Sequence, residues 1–451
     1  MQVEKSMTDR SPVRGGRSPS LAAMRWVAPV LGLLTLAGPA MADWNVAGYL
    51  AARAVAAEGR ASWLGGGFGS TGPGPLADGD ETVFGEGQLH VTAEGRFGRR
   101  WRFFGHLTGR TVAGELDSGD IAGRDLGVVE AYLEGLFPLA GDRRLRFQLG
   151  HFLLPTSLEN VEVGWSSPYT QSFSAINTWV GEEVRPTGVL FELNQALEDR
   201  DSLRLGGAVF GGNDSSGTLL AWRGWVLGDR LTVWDEVLPL PPLQGLRPGL
   251  GFEEQRAEGS RPFGSDLDDQ IGWAGWARWS RHDRALVQWT RYENGGDRRL
   301  HGAFGDREYA WDTTFDLVAT QLEGGGWTLA GEWMAGDSFM GFAPDSRVEI
   351  DFDAYYALVS RQFGAWRTSL RYDDFEVVDR DPISYDQSDQ QGRAWTVALF
   401  YEPSPSLRLG LEWLEVDSER PEAALSSPES LFGTDTGGRR LQLELRWYFG
   451  L

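Results

Sequence analysis

The feature that most constrains the fold is a series of segments in which apolar and polar side chains alternate strictly. In the segment 441–449, Leu, Leu, Leu, Trp and Phe take the odd positions, and Gln, Glu, Arg and Tyr take the even ones. A period of two is that of a β-strand whose two faces lie in different surroundings. The same alternation recurs at 101–110, 144–149, 327–333, 366–373, 394–401 and 407–413. The chain is therefore predicted to be all-β.

Two further features favour a membrane barrel over a soluble sandwich, which alternation alone would also fit. Aromatic residues such as Trp366, Trp395, Trp413 and Trp447 fall at the ends of the apolar faces. Aromatic belts of this kind lie at both lipid interfaces of a membrane barrel. In addition, short turns alternate with long acidic, Gly-rich connections. We therefore predict a transmembrane antiparallel up-and-down β-barrel with long extracellular loops.

The number of long connections sets the number of strands. Eight long loops pair sixteen strands, which is the favoured count. If 219–225 and 231–234 also form strands, the count becomes eighteen; otherwise 212–269 is one large folded loop. A barrel of this width leaves a water-filled lumen. The long loops are expected near 56–83, 116–126, 154–185, 212–269, 295–307, 336–349, 378–390 and 418–436.

The N-terminal segment predicts export. A basic region with Arg14, Arg17 and Arg25 precedes the apolar run 26–37, and an Ala-x-Ala sequence ends at Ala42. These are the three parts of a secretory signal peptide. The alternative, a membrane anchor or buried helix, is disfavoured because the run is short and contains Pro29. We therefore assign 1–42 to a cleaved signal peptide, with Met24 as a possible true start, and 43–451 to the barrel of a Gram-negative outer membrane.

Composition excludes several classes of function. The 64 acidic residues outnumber the 42 basic ones, for a formal net charge of −22. A nucleic-acid partner is excluded because phosphate binding needs a basic surface. The absence of cysteine excludes thiolate zinc sites, iron–sulfur clusters, thiol nucleophiles and disulfides.

Arginine dominates the polar faces of the predicted strands, which would face the lumen. Guanidinium groups stay charged and hold a fixed direction when they pair with carboxylates. A wall of such groups could order water and select ions. The alternative is that they only solvate the lumen and pair across strands. The lumenal arginines are Arg102, Arg110, Arg144, Arg146, Arg204, Arg367, Arg371, Arg408 and Arg446.

The segment 154–185 is unusually apolar and aromatic for a surface loop, and it is the third long connection. Here the sequence resembles the phosphate-selective porins O and P and their relatives. In that family a strand with an Arg-rich lumenal face runs into a Gly-Gln/His-Phe-x-x-Pro-x-x-x-Glu turn, and a Glu-Glu-x-Arg element follows. The likeness lies in 130–132, 146–159 and 179–188.

The resemblance implies a sixteen-stranded homotrimeric porin whose third loop folds inward and narrows the pore. Phosphate selectivity is not carried over, because the phosphate-specific members have a lysine-rich mouth whereas Lys5 is the only lysine here. For Glu182 and Glu183, the alternative to a direct role in permeation is a salt bridge that anchors the loop to the barrel wall. The candidate constriction comprises Glu159, Glu162, Glu182, Glu183 and Arg185 of the loop, facing Arg102, Arg144, Arg146 and Arg204 of the wall.

Signals for covalent chemistry are weak. None of the five histidines lies in an H-E-x-x-H motif or beside a G-x-S-x-G elbow. No cofactor and no metal-ligand cluster is predicted. The acidic loops, with Asp117, Asp120, Asp266, Asp268, Asp269, Asp386 and Asp389, suggest a rim that repels anions or binds lipopolysaccharide through divalent cations; solvated loop charge is the simpler alternative.

We therefore predict an outer-membrane porin for passive diffusion of ions and small hydrophilic solutes, in contact with lipid and lipopolysaccharide. The second hypothesis is a substrate-specific channel for sugars or organic acids, with Trp276, Tyr356 and Tyr448 as a lumenal slide. The third is a barrel hydrolase that uses His106. The fourth is a secreted soluble β-protein.

Overall fold

The computed structural model describes residues 43–75, 77–79, 81–114, 126–255, 259–282, 284–302, 307–342 and 346–450. The predicted signal peptide, 1–42, lies outside the described residues and stays a prediction.

Sixteen antiparallel strands form one closed barrel, which confirms the favoured count. The strands are β1 Asp43–Gly59, β2 Thr82–Phe97, β3 Trp101–Gly114, β4 Leu126–Pro138, β5 Arg143–His151, β6 Thr187–Ala196, β7 Asp201–Gly211, β8 Gly272–Arg281, β9 Ala285–Glu293, β10 Asp312–Gly324, β11 Trp327–Met340, β12 Val348–Phe363, β13 Trp366–Asp379, β14 Gln390–Ser404, β15 Leu407–Glu419 and β16 Gly438–Phe449.

Each strand pairs with its neighbours in the sequence, and the ring closes where β1 meets β16. Gly48 lies opposite Phe449 and Gly59 opposite Gly438 across this seam. The barrel, whose sixteen strands all lie among the described residues, therefore has no edge strand, as a bilayer requires.

The eighteen-strand alternative is wrong. Its first extra segment, 219–225, falls mainly in a helix, and its second, 231–234, has no regular secondary structure. A short apolar run does not separate a strand from a buried helix, which explains the ambiguity in the sequence. The described α-helices are α1 Ala175–Glu183, α2 Thr218–Trp222 and α3 Pro421–Ser426, and short 3-10 helices lie at Trp63–Gly65, Glu198–Arg200 and Gln244–Leu246.

Long and short connections alternate around the barrel, as predicted. One of the two-residue turns, between β10 and β11, has Gly325 and Gly326 with φ of 62° and 80°, and positive φ values at both positions are typical of a tight hairpin turn. We call the long connections L1 to L8. They are L1 60–81, L2 115–125, L3 152–186, L4 212–271, L5 294–311, L6 341–347, L7 380–389 and L8 420–437. L2 lies outside the described residues.

The two faces of the strands lie in different surroundings. On β16, Leu443 and Leu445 are 57% and 48% exposed, whereas Glu444 and Arg446 between and beside them are buried in the interior. The apolar side chains therefore form the outer surface of the barrel. No helix among the described residues is long and apolar enough to cross a membrane.

The interior is filled more extensively than the sequence suggested. The inward folding of L3 is confirmed, but L1 and L4 also enter the barrel and pack with it. The indole of Trp179 on α1 lies 5.9 Å from that of Trp225 in L4 and 5.4 Å from the ring of Phe352 on β12. An apolar core inside the barrel thus joins the loops to the wall from β6 to β15.

The outward orientation of β16 can be tested by placing a charge at different depths. We expect Leu443→Arg, in the middle of the strand, to lower the free energy of unfolding in vesicles by about 2–4 kcal/mol. Thr368→Arg, on the outer face near a short turn, should cost at most about 1 kcal/mol. Urea titration of the two variants measures this difference. Equal costs would contradict a lipid-facing surface.

Candidate functional site

The lumenal face of β13 anchors L3 through Arg371, which is fully buried. Its guanidinium group pairs with Glu159 of L3 and, at 2.8 Å, with Asp373 on its own strand. It also donates to the carbonyl oxygens of Ser172 and Phe173, each at 2.8 Å. One lumenal arginine therefore fixes both a charge and the backbone of L3.

Two carboxylates of the wall bind the backbone of L3. Glu412 on β15 accepts the N–H of Gln171 and, at 3.0 Å, that of Ser172. Glu332 on β11 accepts the N–H of Leu158 and the side-chain amide of Asn177. Since buried N–H groups must be paired, these carboxylates determine where L3 can lie.

Glu183 joins L3 to L4 at the end of α1. Its carboxyl accepts the indole N–H of Trp179 at 2.7 Å and the backbone N–H groups of Gly217 and Leu219, both at 3.1 Å. Burial raises the pKa of Glu183 to about 7, although these hydrogen bonds oppose the shift. Glu183 therefore connects L3 to L4 through its hydrogen bonds.

The neighbouring charges of L3 also have partners in L4. Glu182 pairs with Arg223 at 2.7 Å. Arg185 donates to the carbonyl of Gly181 at 2.7 Å and lies over the ring of Phe263, 4.7 Å from its centroid. Burial lowers the pKa of Arg185 to about 10.

The first turn of L3 reaches the wall near the short-turn rim. Glu162 accepts from Arg408 at 2.7 Å and from the hydroxyl of Tyr448 at 3.1 Å. Arg408 also pairs with Glu402 at 2.8 Å. Beside this group is a cavity of about 560 Å³, lined in part by Val163, Glu402 and Tyr448.

Asp229 of L4 is an anchor that the sequence analysis missed. It pairs with Arg53 on β1 and, at 2.9 Å, with Arg110 on β3. It also accepts from Gln88 at 2.9 Å. Burial alone would raise the pKa of Asp229, but the guanidinium groups of Arg110 and Arg53 outweigh it and hold that pKa well below its usual range.

Wall arginines near the short-turn rim are more exposed. Arg102 lies between Glu134, at 2.6 Å, and Glu94, at 2.8 Å. Arg146 is 3.4 Å from Glu192. Arg204 on β7 lies opposite Arg278 on β8, and Arg144 on β5 lies opposite Asn194 on β6. Arg367 on β13 donates to the side chain of Gln362.

The predicted site residues thus fall into two groups. Glu159, Glu182, Glu183 and Arg185 are buried in the packed loops, and their contacts are those of the anchoring alternative. Arg371, Arg408 and Arg446 are lumenal but covered. The role of the loop and wall candidates in a constriction stays a prediction. Arg102, Arg144, Arg146 and Arg204 line the more open part of the lumen.

Residues named for the other hypotheses are also covered. Trp276 donates its indole N–H to Glu192 at 3.0 Å, and Tyr356 packs against Tyr169 of L3. His106 places one ring nitrogen 3.1 Å from His90 and the other 3.9 Å from Glu130. Its two ring nitrogens thus face another imidazole and a carboxylate rather than a serine hydroxyl.

One group of carboxylates has the spacing of a metal site among the described residues. Oxygens of Asp214, Asp266 and Asp268 lie within 4.8 Å of one another. Burial raises the pKa of Asp214 to about 7, and the two neighbouring carboxylates add to the shift. The sequence did not reveal this group because Asp214 lies about fifty residues before the other two.

Comparison with known proteins supports the fold. No family model matches the chain, and no curated protein sequence matches it. The outer membrane channel DcaP of Acinetobacter baumannii has 11% identity and a TM-score of 0.52, covering 91% of this chain and 99% of DcaP. At this identity the likeness concerns the fold alone, and it is that of an outer-membrane barrel.

Two further structures are similar at lower scores. OprB of Pseudomonas putida has 10% identity and a TM-score of 0.49, covering 94% of this chain and 97% of its own. The anion-selective porin from Comamonas acidovorans has 10% identity and a TM-score of 0.48, and the match covers 91% of this chain and 100% of that porin. The resemblance to porins O and P stays a prediction.

The anchoring role of Arg371 can be tested by removing its charge. Arg371→Met leaves the charges of Glu159 and Asp373 buried without their guanidinium partner, with only neutral donors such as the N–H groups of Ser174 and Ala175. We therefore expect the free energy of unfolding to fall by about 3–5 kcal/mol and L3 to become protease-sensitive. Arg367→Met, on the same strand near the rim, is the control and should change little. Restored stability in the triple variant R371M/E159Q/D373N would confirm the electrostatic cause; an unaltered R371M would contradict it.

The contact between L3 and L4 should depend on pH through Glu183. Because the folded pKa lies above the ordinary value, the contact is most stable below about pH 4.5 and weakens as pH rises through about 7. Hydrogen exchange at Gly217 and Leu219, corrected for the intrinsic rate, should show less protection at pH 8 than at pH 5. In Glu183→Gln this pH dependence should disappear. Protection that rises with pH in the wild type would contradict the assignment.

Proposed function

We propose that this protein is an outer-membrane channel through which ions and small hydrophilic solutes diffuse. The observation that carries the proposal is the closed barrel with an apolar outer surface and an ionisable interior. Leu443 faces outward while Glu444 faces inward. Charged side chains inside a membrane barrel are typical of a passage for water and ions.

The outer surface supports the membrane location. Exposed tryptophans form one belt near the short turns and another near the long loops, and Trp side chains concentrate at membrane interfaces. The first belt includes Trp44, Trp101, Trp327, Trp366 and Trp447; the second includes Trp273, Trp333, Trp395 and Trp413. The apolar bands between them would span the hydrocarbon core.

The remaining parts of the proposal concern assembly and export. Export through cleavage after Ala42 would deliver the barrel to the outer membrane of a Gram-negative bacterium. There it would assemble as a homotrimer, in contact with lipid and lipopolysaccharide. The carboxylates of Asp266 and Asp268 at the long-loop rim are suited to divalent cations that bridge lipopolysaccharide phosphates.

A second candidate is a substrate-specific channel for sugars or organic acids. The observation that favours it is the packing of L1, L3 and L4 inside the barrel. A solute that crosses so filled a lumen must contact the wall closely, as in a specific channel. Conductance that saturates with a solute or is blocked by it would select this candidate over general diffusion.

Reconstitution into a planar lipid bilayer tests the function. The detergent-purified protein should produce discrete conductance steps in KCl, because an ionisable lumen lets ions cross. Protein that has been heat-unfolded in the same detergent is the control and should produce none. Properly folded barrels, shown by heat-modifiable gel mobility, that give no steps would overturn the proposal.

A further inference from the structure

The lumenal wall near the short turns has a local surplus of positive charge on strands β5 to β8. Elsewhere on this part of the wall, Arg102 on β3 lies between two carboxylates, and so does Arg408 on β15. The lumenal face of β5 to β8 carries four arginines but only one carboxylate, Glu192. We call these four residues the arginine patch; it comprises Arg144, Arg146, Arg204 and Arg278.

The register of the strands brings most of the patch into one row. Arg144 lies opposite Asn194, and Asn194 lies opposite Arg204. Arg204 in turn lies opposite Arg278, which lies opposite Gln288 on β9. Directly opposite residues share a face, and neighbouring strands are about 4.8 Å apart. The row therefore places side chains that all carry N–H donors next to one another.

Most of the patch lacks an ionic partner on the protein. Among the residues that the structure describes, the guanidinium groups of Arg144, Arg204 and Arg278 form no ion pair with a carboxylate. Arg278 donates to the neutral side chain of Gln288. The remaining member of the patch is 3.4 Å from Glu192, which also accepts the indole N–H of Trp276. The single carboxylate is thus already shared.

Arg204 and Arg278 form a like-charge pair, which is unfavourable between directly opposite positions of a sheet. Arg408 and Arg446 also lie opposite each other, but each of them pairs with carboxylates at 3.0 Å or less. For Arg204 and Arg278, the described part of the wall supplies no such compensating charge. An anion bound between the two guanidinium groups would supply it.

The patch can be reached by water from the short-turn end of the barrel. Arg204 lies near the start of β7 and Arg278 near the end of β8, and all four arginines are at least partly exposed. Toward the long loops the patch ends at Trp276, which is buried, and at L3, where Gln288 donates to the carbonyl oxygen of Pro155. The arginine patch therefore lies below the packed loops.

The donor chemistry of the patch suits anions that carry several oxygens. A guanidinium group offers a planar fork of N–H donors that matches a carboxylate or a phosphate group. The amide of Asn194, between Arg144 and Arg204, adds a neutral donor. Because the surplus charge of the patch exceeds one, an anion with two charges is favoured over a halide.

We propose that the arginine patch is a binding site for small dianions with phosphate or carboxylate groups, and that Arg204 and Arg278 contact the anion. As a solute site it rests on the proposed function and assigns its solute class. The formal net charge of −22 gives no sign of this preference, because the surplus of arginine is local.

Calorimetric titration of the folded, detergent-purified protein at low ionic strength tests the site. Inorganic phosphate at about pH 8 and succinate are the two probes, and the wild type should bind at least one of them saturably. The double variant R204Q/R278Q should weaken this binding by about tenfold or more, because a charge-assisted hydrogen bond contributes about a factor of ten or more to affinity.

A second double variant controls for total charge. R96Q/R367Q also removes two lumenal arginines near the short turns, since Arg96 lies opposite Arg102 and Arg367 opposite Gln362. It should bind the anion as the wild type does. Equal weakening in the two double variants, or no saturable binding of either anion by the folded wild type, would overturn the site.

The stability of the like-charge pair gives an independent readout. Arg204→Gln removes the repulsion and breaks no hydrogen bond among the described residues. In urea titrations without phosphate its midpoint should therefore equal or exceed that of the wild type. Phosphate should raise the midpoint of the wild type, because it binds the folded state, and leave that of R204Q unchanged. A lower midpoint of R204Q without phosphate would contradict the repulsive pair.

The binding measurements separate the site from the function because they do not require conductance. If the wild type conducts in a bilayer but binds neither anion, the site is wrong and the proposed function stands. If an anion binds through Arg204 and Arg278 but the folded protein does not conduct, the proposed function fails and the site stands. Binding of only one of the two probes, lost in R204Q/R278Q, would confirm the site and identify the anionic group.

Discussion

The pairing of every strand around a closed ring is the constraint on which the rest of the structure depends. In hydrocarbon an unpaired N–H or C=O group costs several kcal/mol, so the seam between β1 and β16 is a requirement of the membrane. Once the ring is closed, strict alternation sends one side chain in two to lipid and the other to the lumen. Polar and charged residues are therefore concentrated inside, where each one needs a partner or water.

Neighbouring strands supply many of those partners, and the inward loops supply others. Arg371 and Glu412 bind the charges and the backbone of L3, and Arg53 and Arg110 bind Asp229 of L4. Burying these groups without partners would be unfavourable, so electrostatic pairing determines where each loop lies. Apolar side chains around Trp179 then fill the space between the loops and the wall. The loops lie against the wall where they find both an ionic partner and an apolar surface, and this includes Val129 of β4, on which Phe173 and Leu231 pack.

The fold could be predicted from the sequence because a period of two is visible without knowledge of tertiary contacts. The predicted strand count depended on the segment 219–225. A short apolar run fits a strand and a buried helix equally well, and the structure places most of this segment in the helix α2. The prediction that the side chains of Arg371 and Arg408 face the lumen is correct. Their partners in L3 could not be predicted, because they lie more than two hundred residues away along the sequence. Asp229 was missed because a single loop carboxylate carries no local signal of the arginines that it meets.

Guanidinium chemistry explains why so few lumenal charges are left for transport. A planar group with five donors can bind a carboxylate and several carbonyl oxygens at once, which a lysine ammonium does less well. Arg371 does this, reaching Glu159, Asp373 and two carbonyls of L3 together. An arginine whose charge is neutralised in this way stabilises the loop and contributes little to the electrostatic field in the lumen.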